Sequence, residues 1–242
     1  MPDIDVLANI RVVLCETSHP GNIGAAARAM KTMGLSALHL VRPQRFPDPE
    51  AQWRATSATD VLDQAQVHDT LDDALRGVAF AVACSARSRD VAVSAVGARE
   101  AASRLVEVAH SQPVALVFGN EQAGLTTDAV NKCKLLASIP TNADFSSLNL
   151  GAAVQVFAYE LRMSAHSAPE PEVLRELATH DEVEGFYGHL EQAMSQVGFL
   201  DARHPKKLMP RLRRLFARAG LEPEEVNILR GILKAMTHPK KR

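Results

Sequence analysis

The sequence predicts an α/β protein in which a mostly parallel sheet is covered by helices on both sides and is followed by a small all-α module. Short apolar runs rich in β-branched residues alternate with helical segments, which is the pattern of repeated βαβ units. The runs show little polar alternation, as expected of strands buried on both faces. The last quarter of the chain has helical spacing only.

The first βαβ unit is predicted near the N-terminus. Ile10–Cys15 is an apolar run, and the polar, glycine-containing loop 16–24 follows it. Residues 25–33 have a helical composition, and Gly34 ends this helix because glycine readily adopts the left-handed conformation of a helix C-terminus. Ala37–Val41 is the next strand, so the connection is a right-handed crossover.

The alternation continues through the first two-thirds of the chain. Further strands are predicted at 78–83, 114–118 and 135–139, and further helices at 70–76, 98–110 and 150–163. Residues 164–172 are polar and contain two prolines, which is typical of a linker. Three helices follow, at 183–197, 206–219 and 223–236. The predicted division is a first domain at 1–163, a linker at 164–172 and a helical module at 173–242.

Charge is distributed unevenly along the chain. The 242 residues carry a formal net charge of −1, which by itself does not indicate a nucleic-acid partner. Residues 203–242, however, hold 12 Lys and Arg against 3 Asp and Glu. This asymmetry indicates a basic C-terminal module attached to an acidic first domain.

The three cysteines, Cys15, Cys84 and Cys133, are too far apart in sequence to indicate a disulfide framework or a zinc site. Each flanks an apolar run, so we expect small buried side chains. The N-terminus has no charged-then-apolar leader, and no apolar run reaches membrane length. We therefore expect a cytoplasmic protein without membrane association.

Four predicted loops lie at the carboxyl ends of strands, where open α/β sheets bind their ligands. They are rich in small and polar residues, so their main-chain groups are available to a small cofactor. These loops are 16–24, 84–90, 119–125 and 140–149.

The first loop contributes Asn22, Gly24 and Arg28, and Arg28 stands among alanines in the helix that follows. We expect Arg28 to lie inside the protein, where a guanidinium needs an acceptor. One interpretation is a salt bridge to Glu121 or another carboxylate. The other is a clamp for a phosphate or for a reacting oxygen.

Gly119 and Gly124 flank Glu121 in the third loop and permit a close approach of main chain to a ligand. The alternative is a tight turn with a solvated glutamate. Neither a Gly-x-Gly-x-x-Gly fingerprint nor a phosphate loop ending in Gly-Lys-Ser/Thr occurs, which argues against NAD and ATP.

The fourth loop ends in Ser146, Ser147, Leu148 and Asn149, immediately before an apolar helix. Ser147 or Asn149 can cap that helix by accepting from a free N–H of its first turn. Taken alone, the stretch indicates a capped core helix. Together with the other loops it indicates part of a site.

Three motifs in this order and at this spacing resemble the SpoU branch of the SPOUT methyltransferases. They are Asn22-x-Gly24-x-x-x-Arg28, residues 118–125 (Phe-Gly-Asn-Glu-Gln-Ala-Gly-Leu), and Ile139-Pro140 followed by Ser147-Leu148-Asn149. The similarity continues at 16–21 and 85–89 and, near the C-terminus, at 186–190, 212–216 and 227–231, so it covers nearly the whole chain.

The resemblance implies a sheet domain whose C-terminal part forms a deep trefoil knot, with S-adenosylmethionine bound in the knot. It also implies a homodimer that needs no metal, and a tRNA lying across both subunits. The implied reaction is 2′-O-methylation of the ribose of cytidine or uridine at position 32 of the tRNA anticodon loop. The implied cofactor-binding residues are Cys84, Ser85, Ala86, Gly119, Ile139, Ser146, Ser147 and Leu148.

The chain departs from the family at two positions. The family often has threonine where Cys84 stands, but this residue contributes mainly main chain, so we expect little change. The family often has arginine where Asn120 stands, and asparagine here removes a positive contact to RNA.

The resemblance also implies roles for Asn22, Arg28, Glu121, Ser147 and Asn149 in catalysis. Arg28 would hold the 2′-hydroxyl and its neighbouring phosphate. The family proposal makes this arginine the general base, but a free guanidinium has a pKa above about 12, so stabilising negative charge on the oxygen is the milder role. Ser147 and Asn149 would position Arg28 or the ribose, and Glu121 would orient Arg28 or the substrate.

The basic module would bind tRNA phosphates, and the alternative there is a solvated helix face. The residues concerned are Lys206, Lys207, Arg211, Arg213, Arg214 and Arg218. Two other functions stay open at this point. One is 2′-O-methylation of another tRNA site or of ribosomal RNA, and the other is RNA binding without catalysis.

Overall fold

A computed structural model describes residues 6–85, 95–142, 144–167, 176–200 and 207–238. Within these residues the first domain contains one sheet of seven strands in the order β3-β2-β1-β6-β4-β7-β5, and every neighbouring pair is parallel. The prediction of a mostly parallel sheet is therefore confirmed. The strands are β1 Ile10–Cys15, β2 Ala37–Val41, β3 Gln66–His68, β4 Phe80–Cys84, β5 Val96–Gly97, β6 Val114–Phe118 and β7 Leu135–Ser138.

Helices cover both faces of the sheet and form the C-terminal module. They are α1 Pro20–Met33, α2 Pro49–Ala55, α3 Thr59–Asp63, α4 Leu71–Ala74, α5 Ala98–Ala109, α6 Thr127–Lys132, α7 Leu150–Ser167, α8 His180–Gln196, α9 Leu208–Ala219 and α10 Pro223–Thr237. Two short 3₁₀ helices, Val6–Asn9 and Thr56–Ala58, complete the regular structure of the described residues.

Several predicted boundaries differ from the structure. Helix α1 begins at Pro20 because proline is compatible with the first helical position, so the helix includes part of the predicted loop. The first four residues of the predicted linker are the last turn of α7. Strands β3 and β5 and helices α2, α3 and α6 were not predicted, since each has seven residues or fewer and shows no clear periodicity. The domain division and the trefoil knot stay predictions.

Two apolar layers flank the sheet. One packs α1, α5 and α7 against it, and the other packs α4 and α6 against the opposite face. Small residues let α1 and α2 approach to main-chain contact, because a Cβ atom on Gly24 would lie 2.1 Å from the carbonyl oxygen of Ala51. This contact fixes α2 beside the first turns of α1.

The C-terminal module has its own small core and is docked on the first domain. Phe186 and Phe216 make an edge-to-face contact at 4.9 Å inside it. The His180 N–H donates to the carbonyl of Val78 at 2.7 Å, and Asp72 accepts from His180 and from Lys132 at 2.9 and 2.7 Å. The two hydrogen bonds of His180 therefore join the module to the first domain, and Lys132 holds Asp72 from within that domain.

Candidate active site

The described residues of the four predicted loops lie at one edge of the sheet, because β1, β4, β6 and β7 run parallel and end there. Between three of them lies a cleft of about 580 Å³, a volume typical of small-molecule sites. Its apolar side chains are joined by main-chain groups, several hydroxyls, two side-chain amides and one carboxylate, that of Glu121. The lining residues are Cys84, Ser85, Phe118, Gly119, Asn120, Glu121, Gln122, Gly124, Ile139, Thr141, Ser146, Ser147, Leu148, Leu150, Ala153 and Phe157.

Glu121 ties the loop after β6 to the loop after β1. Its Oε2 accepts from the main-chain N–H and the hydroxyl of Ser18 at 3.0 and 2.8 Å. Its Oε1 accepts from Asn22 Nδ2 at 2.8 Å and from the His19 N–H at 3.4 Å. The carboxylate therefore has four donors, and the interpretation of a solvated glutamate is wrong.

The charge of Glu121 is fixed by these donors. Partial burial raises the pKa of the carboxyl, but the hydrogen bonds from Asn22 and Ser18 outweigh burial and leave the pKa below its usual value. The side chain is thus an ionised anchor rather than a proton acceptor poised near neutral pH.

Asn149 extends this network to the loop before α7. Its Nδ2 donates to Asn22 Oδ1 at 2.8 Å, while its Oδ1 accepts from the Gly151 N–H at 2.9 Å. Asn149 is therefore the cap of α7 and a partner of Asn22 at once. The capping interpretation is confirmed for Asn149, and the same side chain joins this stretch to the loop after β1.

Asn120 holds the same two loops together from the other side of Glu121. Its Nδ2 donates to the carbonyl of Glu16 at 2.7 Å, and its Oδ1 accepts from the N–H groups of Gln122 and Ala123 at 2.8 and 3.2 Å. Glu16 has φ 54°, a left-handed conformation that is uncommon for a glutamate. Asn120 therefore stabilises a strained strand end and has a positioning function that the sequence did not indicate.

Gly119 is required by this loop geometry. A Cβ atom there would lie 2.2 Å from the main chain of Gly124 and Leu125, so no other residue fits without moving the loop. The Gly124 N–H donates to the Asn120 carbonyl at 2.7 Å and closes the loop. The predicted tight turn is confirmed.

Arg28 lies on the exposed face of α1, so the prediction that it is inside the protein is wrong. The alanines around it pack against the sheet and the neighbouring helices, and they leave a narrow exposed stripe on which Arg28 stands. Among the residues that the structure describes, Arg28 has no ion-pair partner, and the predicted salt bridge to Glu121 is absent. Its guanidinium is available to a ligand.

Comparison with known proteins identifies the family. The SpoU rRNA Methylase family matches residues 9–159, and the C-terminal domain of the tRNA methyltransferase TrmJ matches residues 181–242. The chain belongs to the SpoU methylase family. Its first domain carries the SpoU match, and helices α8 to α10 lie in the TrmJ match.

Full-length relatives of this SpoU methylase are similar along both parts. The tRNA (cytidine/uridine-2'-O-)-methyltransferase TrmJ of Citrobacter koseri is 48% identical over 244 residues, which cover 98% of this chain and 99% of the relative. The tRNA (cytidine/uridine/adenosine-2'-O-)-methyltransferase TrmJ of Pseudomonas aeruginosa is 48% identical over 94% of this chain and 93% of its own. The crystal structure of TrmJ from Z. mobilis ZM4 has a TM-score of 0.84 at 32% identity and covers 94% of this chain and 99% of that one.

Most of the cofactor-binding residues predicted for this SpoU methylase line the cleft. They are Cys84, Ser85, Gly119, Ile139, Ser146, Ser147 and Leu148. Ala86 lies outside the described residues. Cys84 is buried, and burial raises the pKa of its thiol, so only its main chain is available to a ligand.

The predicted RNA-binding residues differ in how available they are. Arg213 donates to both carboxylate oxygens of Glu184 and lies over the Tyr187 ring at 4.4 Å, so its charge is already used inside the module. Lys207, Arg211 and Arg218 are exposed on or beside α9, and Arg214 is half-buried. Lys206 lies outside the described residues.

Sequence reasoning did not single out Ser18 and Thr141. Ser18 donates twice to Glu121, and Thr141 lies on the cleft. Neither residue has a local sequence signal beyond its place in a loop at a strand end.

The described part of the chain holds no group of three or more His, Cys, Asp or Glu side chains arranged for a metal ion. None of its helices is long and apolar enough to span a membrane. The three cysteines are free thiols, with Cys84 buried and Cys15 and Cys133 half-buried.

Proposed function

We propose that this protein transfers a methyl group from S-adenosylmethionine to the ribose 2′-hydroxyl of cytidine or uridine at position 32 of the tRNA anticodon loop. The observation that carries the proposal is the hydrogen-bonded set Glu121–Asn22–Asn149, which joins all three motif loops at the edge of one cleft. The names of the TrmJ relatives, which specify tRNA and a 2'-O position, support the substrate class. Position 32 is the site that the family resemblance implies.

The cleft fits S-adenosylmethionine in size and chemistry. Ile139, Leu148 and Phe157 supply apolar surface for an adenine ring. Hydroxyls for a ribose and an amino-acid moiety are present at Ser85, Thr141, Ser146 and Ser147. When bound, the cofactor would supply a methyl group activated by its attachment to a sulfonium and would leave as the neutral thioether, while the proton of the 2′-hydroxyl would pass to solvent water.

Within this proposal Arg28 holds the substrate ribose. An exposed guanidinium without a carboxylate partner binds phosphate well, because its planar donors match two phosphate oxygens. In that position it also stabilises negative charge that develops on the attacking oxygen. We assign Arg28 to positioning and charge stabilisation, since a guanidinium offers five N–H donors and a positive charge but no acceptor.

Glu121, Asn22 and Asn149 act by fixing the loops rather than by moving protons. Glu121 orients Ser18 and Asn22, and Asn22 in turn fixes Asn149. Because Asn22 is hydrogen-bonded to Glu121 and to Asn149, the three loops are fixed relative to one another. Such fixing keeps the reacting groups within the narrow geometry that methyl transfer needs. Ser147, exposed at the mouth of the cleft, is placed to contact the ribose.

The C-terminal module contributes phosphate contacts. We assign these to Lys207, Arg211, Arg214 and Arg218, and we leave out Arg213 because Glu184 neutralises it. The match of this module to the TrmJ C-terminal domain favours a tRNA over ribosomal RNA. The intact set of Arg28, Glu121 and Asn149 favours catalysis over binding alone.

The proposed homodimer is supported by exposed apolar side chains beside the cleft and on α7. Phe145 is 81% exposed, and Leu148, Tyr159 and Met163 are exposed as well. Several large apolar side chains exposed in one region are typical of a protein–protein interface.

The test is a methyl-transfer assay with labelled S-adenosylmethionine on bulk tRNA that lacks the native modification, followed by nuclease mapping. We expect one labelled 2′-O-methyl pyrimidine, at position 32. Label on a base, or no incorporation, contradicts the proposed reaction, and label at another ribose contradicts the proposed position.

A further inference from the structure

Trp53 is the only tryptophan in the chain, and it lies on α2 with 76% of its side chain exposed. Helix α2 packs on α1 through Ala51 and Ala55, which are fully buried, so the indole points away from that contact. No described residue stacks on the ring or bonds to its N–H. A large aromatic ring left in water in this way is a common feature of binding surfaces.

Two unpaired arginines lie at the contact between α1 and α2. The stem of Arg54 packs over the first turns of α1, where a Cβ atom on Gly21 or Gly24 would lie 3.5 or 2.9 Å from it. Arg28 follows Gly24 by four residues and therefore emerges on the same face of α1. Both arginines are exposed, and neither pairs with a carboxylate among the residues that the structure describes.

The other charges of this region are mostly compensated. Arg45 pairs with Asp48 and Lys31 pairs with Asp60, each at 2.7 Å. Glu50 is the one nearby carboxylate without an ion pair among the described residues, and it lies against Gly21. Among the Lys and Arg residues of α1 and α2, those without an ion pair to a described carboxylate are therefore Arg54 and Arg28.

This surface is continuous with the candidate active site. Gly21, which contacts α2, immediately precedes Asn22, which bonds to Glu121 and Asn149. A chain that passes from the cleft over the first turn of α1 arrives at α2. The other large exposed side chains of α2, Gln52 and Arg54, are polar, so Trp53 is the large exposed apolar group of this helix.

We propose that Trp53 is a stacking platform for an unpaired base of the RNA substrate, next to the nucleotide that Arg28 holds, and that Arg54 binds a phosphate of the same strand. Proteins recognise single-stranded loops by stacking splayed bases on aromatic rings and by binding the backbone with arginines. A ring on a short helix that otherwise exposes a glutamine and an arginine, Gln52 and Arg54, suits a nucleobase better than the apolar surface of a second protein. The proposal rests on the proposed function in one respect, namely that the substrate is an RNA loop.

The single tryptophan makes the test direct, because all intrinsic indole fluorescence comes from Trp53. We expect saturable quenching of this fluorescence, and protection from acrylamide, when unmodified tRNA is added. W53A should weaken tRNA binding by about 5- to 100-fold in a filter-binding assay, the range measured for removal of one base-stacking aromatic. W53F should retain most of the affinity because phenylalanine still stacks. R54A should reduce the salt dependence of binding by roughly one phosphate contact.

The matched control is V67A, which truncates another exposed apolar residue, on the edge strand β3, and should leave tRNA affinity unchanged. Unchanged fluorescence at saturating tRNA, or wild-type affinity of W53A, overturns the proposal. So does protection of Trp53 from acrylamide by increasing protein concentration alone, since this assigns the surface to a second copy. Binding is measured without methyl transfer, so failure of the proposed reaction shows separately in the methyl-transfer assay.

Discussion

The side-chain amide of Asn149 donates from Nδ2 to Oδ1 of Asn22 at 2.8 Å, across 127 positions of sequence. Its orientation is fixed because Asn149 Oδ1 accepts from the Gly151 N–H, and that of Asn22 is fixed because its Nδ2 donates to Glu121. These hydrogen bonds hold the start of α7 next to the first turn of α1. This contact places the fourth loop over the cleft.

Replacing Asn149 separates its two roles. The N149D variant retains an acceptor for the Gly151 N–H but brings a carboxylate against Asn22 Oδ1, so the cap survives and the loop contact is lost. We expect near-wild-type stability and a loss of methyl transfer of about tenfold or more, the equivalent of one lost hydrogen bond. N149A should lose both roles, with a cost of about 1 kcal/mol in urea unfolding. Equal transfer rates for N149D and wild type would contradict this role.

Arg28 tests the proposed handling of the ribose. R28A should abolish methyl transfer to tRNA, whereas the melting temperature and the affinity for S-adenosylmethionine should stay unchanged, because Arg28 is exposed and unpaired with any described carboxylate. R28K should retain only part of the rate, since lysine has the charge but not the planar pair of donors. Single-turnover kinetics and calorimetry measure the two quantities. A wild-type rate in R28A removes this residue from the mechanism.

Glu121 is predicted to be an anchor that must stay ionised. E121Q keeps the shape of the side chain but places an amide NH₂ against donors from Ser18 and Asn22. Because two donors then face each other without an acceptor, the free energy of unfolding should fall by about 1–3 kcal/mol. We expect reduced stability together with reduced transfer. Because hydrogen bonds lower the pKa of Glu121, its contribution to stability is present above the unfolded pKa and is lost as the pH falls through the folded pKa. A fully stable E121Q with intact activity would show that the network is dispensable.

Buried His39, which pairs with half-buried His68, predicts acid sensitivity far from the cleft. Burial, then Arg11 and His68, lower the pKa of His39 to about 4, and its Nδ1 lies 2.9 Å from His68 Nε2. In the unfolded chain the His39 imidazole binds a proton near pH 6.5, whereas in the folded protein it does so only near pH 4. The free energy of unfolding is therefore at its full value above about pH 6.5 and decreases as the pH falls towards 4. Between about pH 7.5 and 5 the loss should be on the order of 2 kcal/mol in urea unfolding. H39N should show a smaller loss, and identical pH profiles would contradict the assignment.

The C-terminal module should bind RNA through phosphates. R211A and R218A should each reduce the slope of log affinity against log salt by about 0.7 to 0.9, as expected for one lost phosphate contact. R213A should instead destabilise the module, because it removes the partner of Glu184 and the group that covers Tyr187. Unchanged salt dependence in the first two variants would indicate a merely solvated helix face.

The sequence predicted the sheet and the converging loops because buried strands and glycine-containing strand ends have local signals. Asp48 and Pro49 are also a local signal for the start of α2, since Asp48 accepts from the Glu50 N–H at 2.9 Å, but seven residues show no periodicity to support it. Strand β3 has only three residues, at the edge of the sheet, and it forms through its hydrogen bonds to β2 rather than from a local sequence pattern.

The position of Arg28 could not be predicted from composition. Alanines indicated a buried helix, and α1 is buried on most sides, but one stripe remains between α2 and α7. The role of Asn120 likewise depends on the carbonyl of Glu16, which is 104 positions away. Contacts of this range follow from the tertiary fold and have no local signature.

The most direct test of the whole account is a crystal structure of the protein soaked with S-adenosylmethionine. We predict the cofactor in the cleft between the loops after β4, β6 and β7, with its methyl group directed towards the side of the cleft from which Arg28 is reached. Cofactor density at another place, remote from Gly119 and Ile139, would contradict the assignment of this edge of the sheet as the active site.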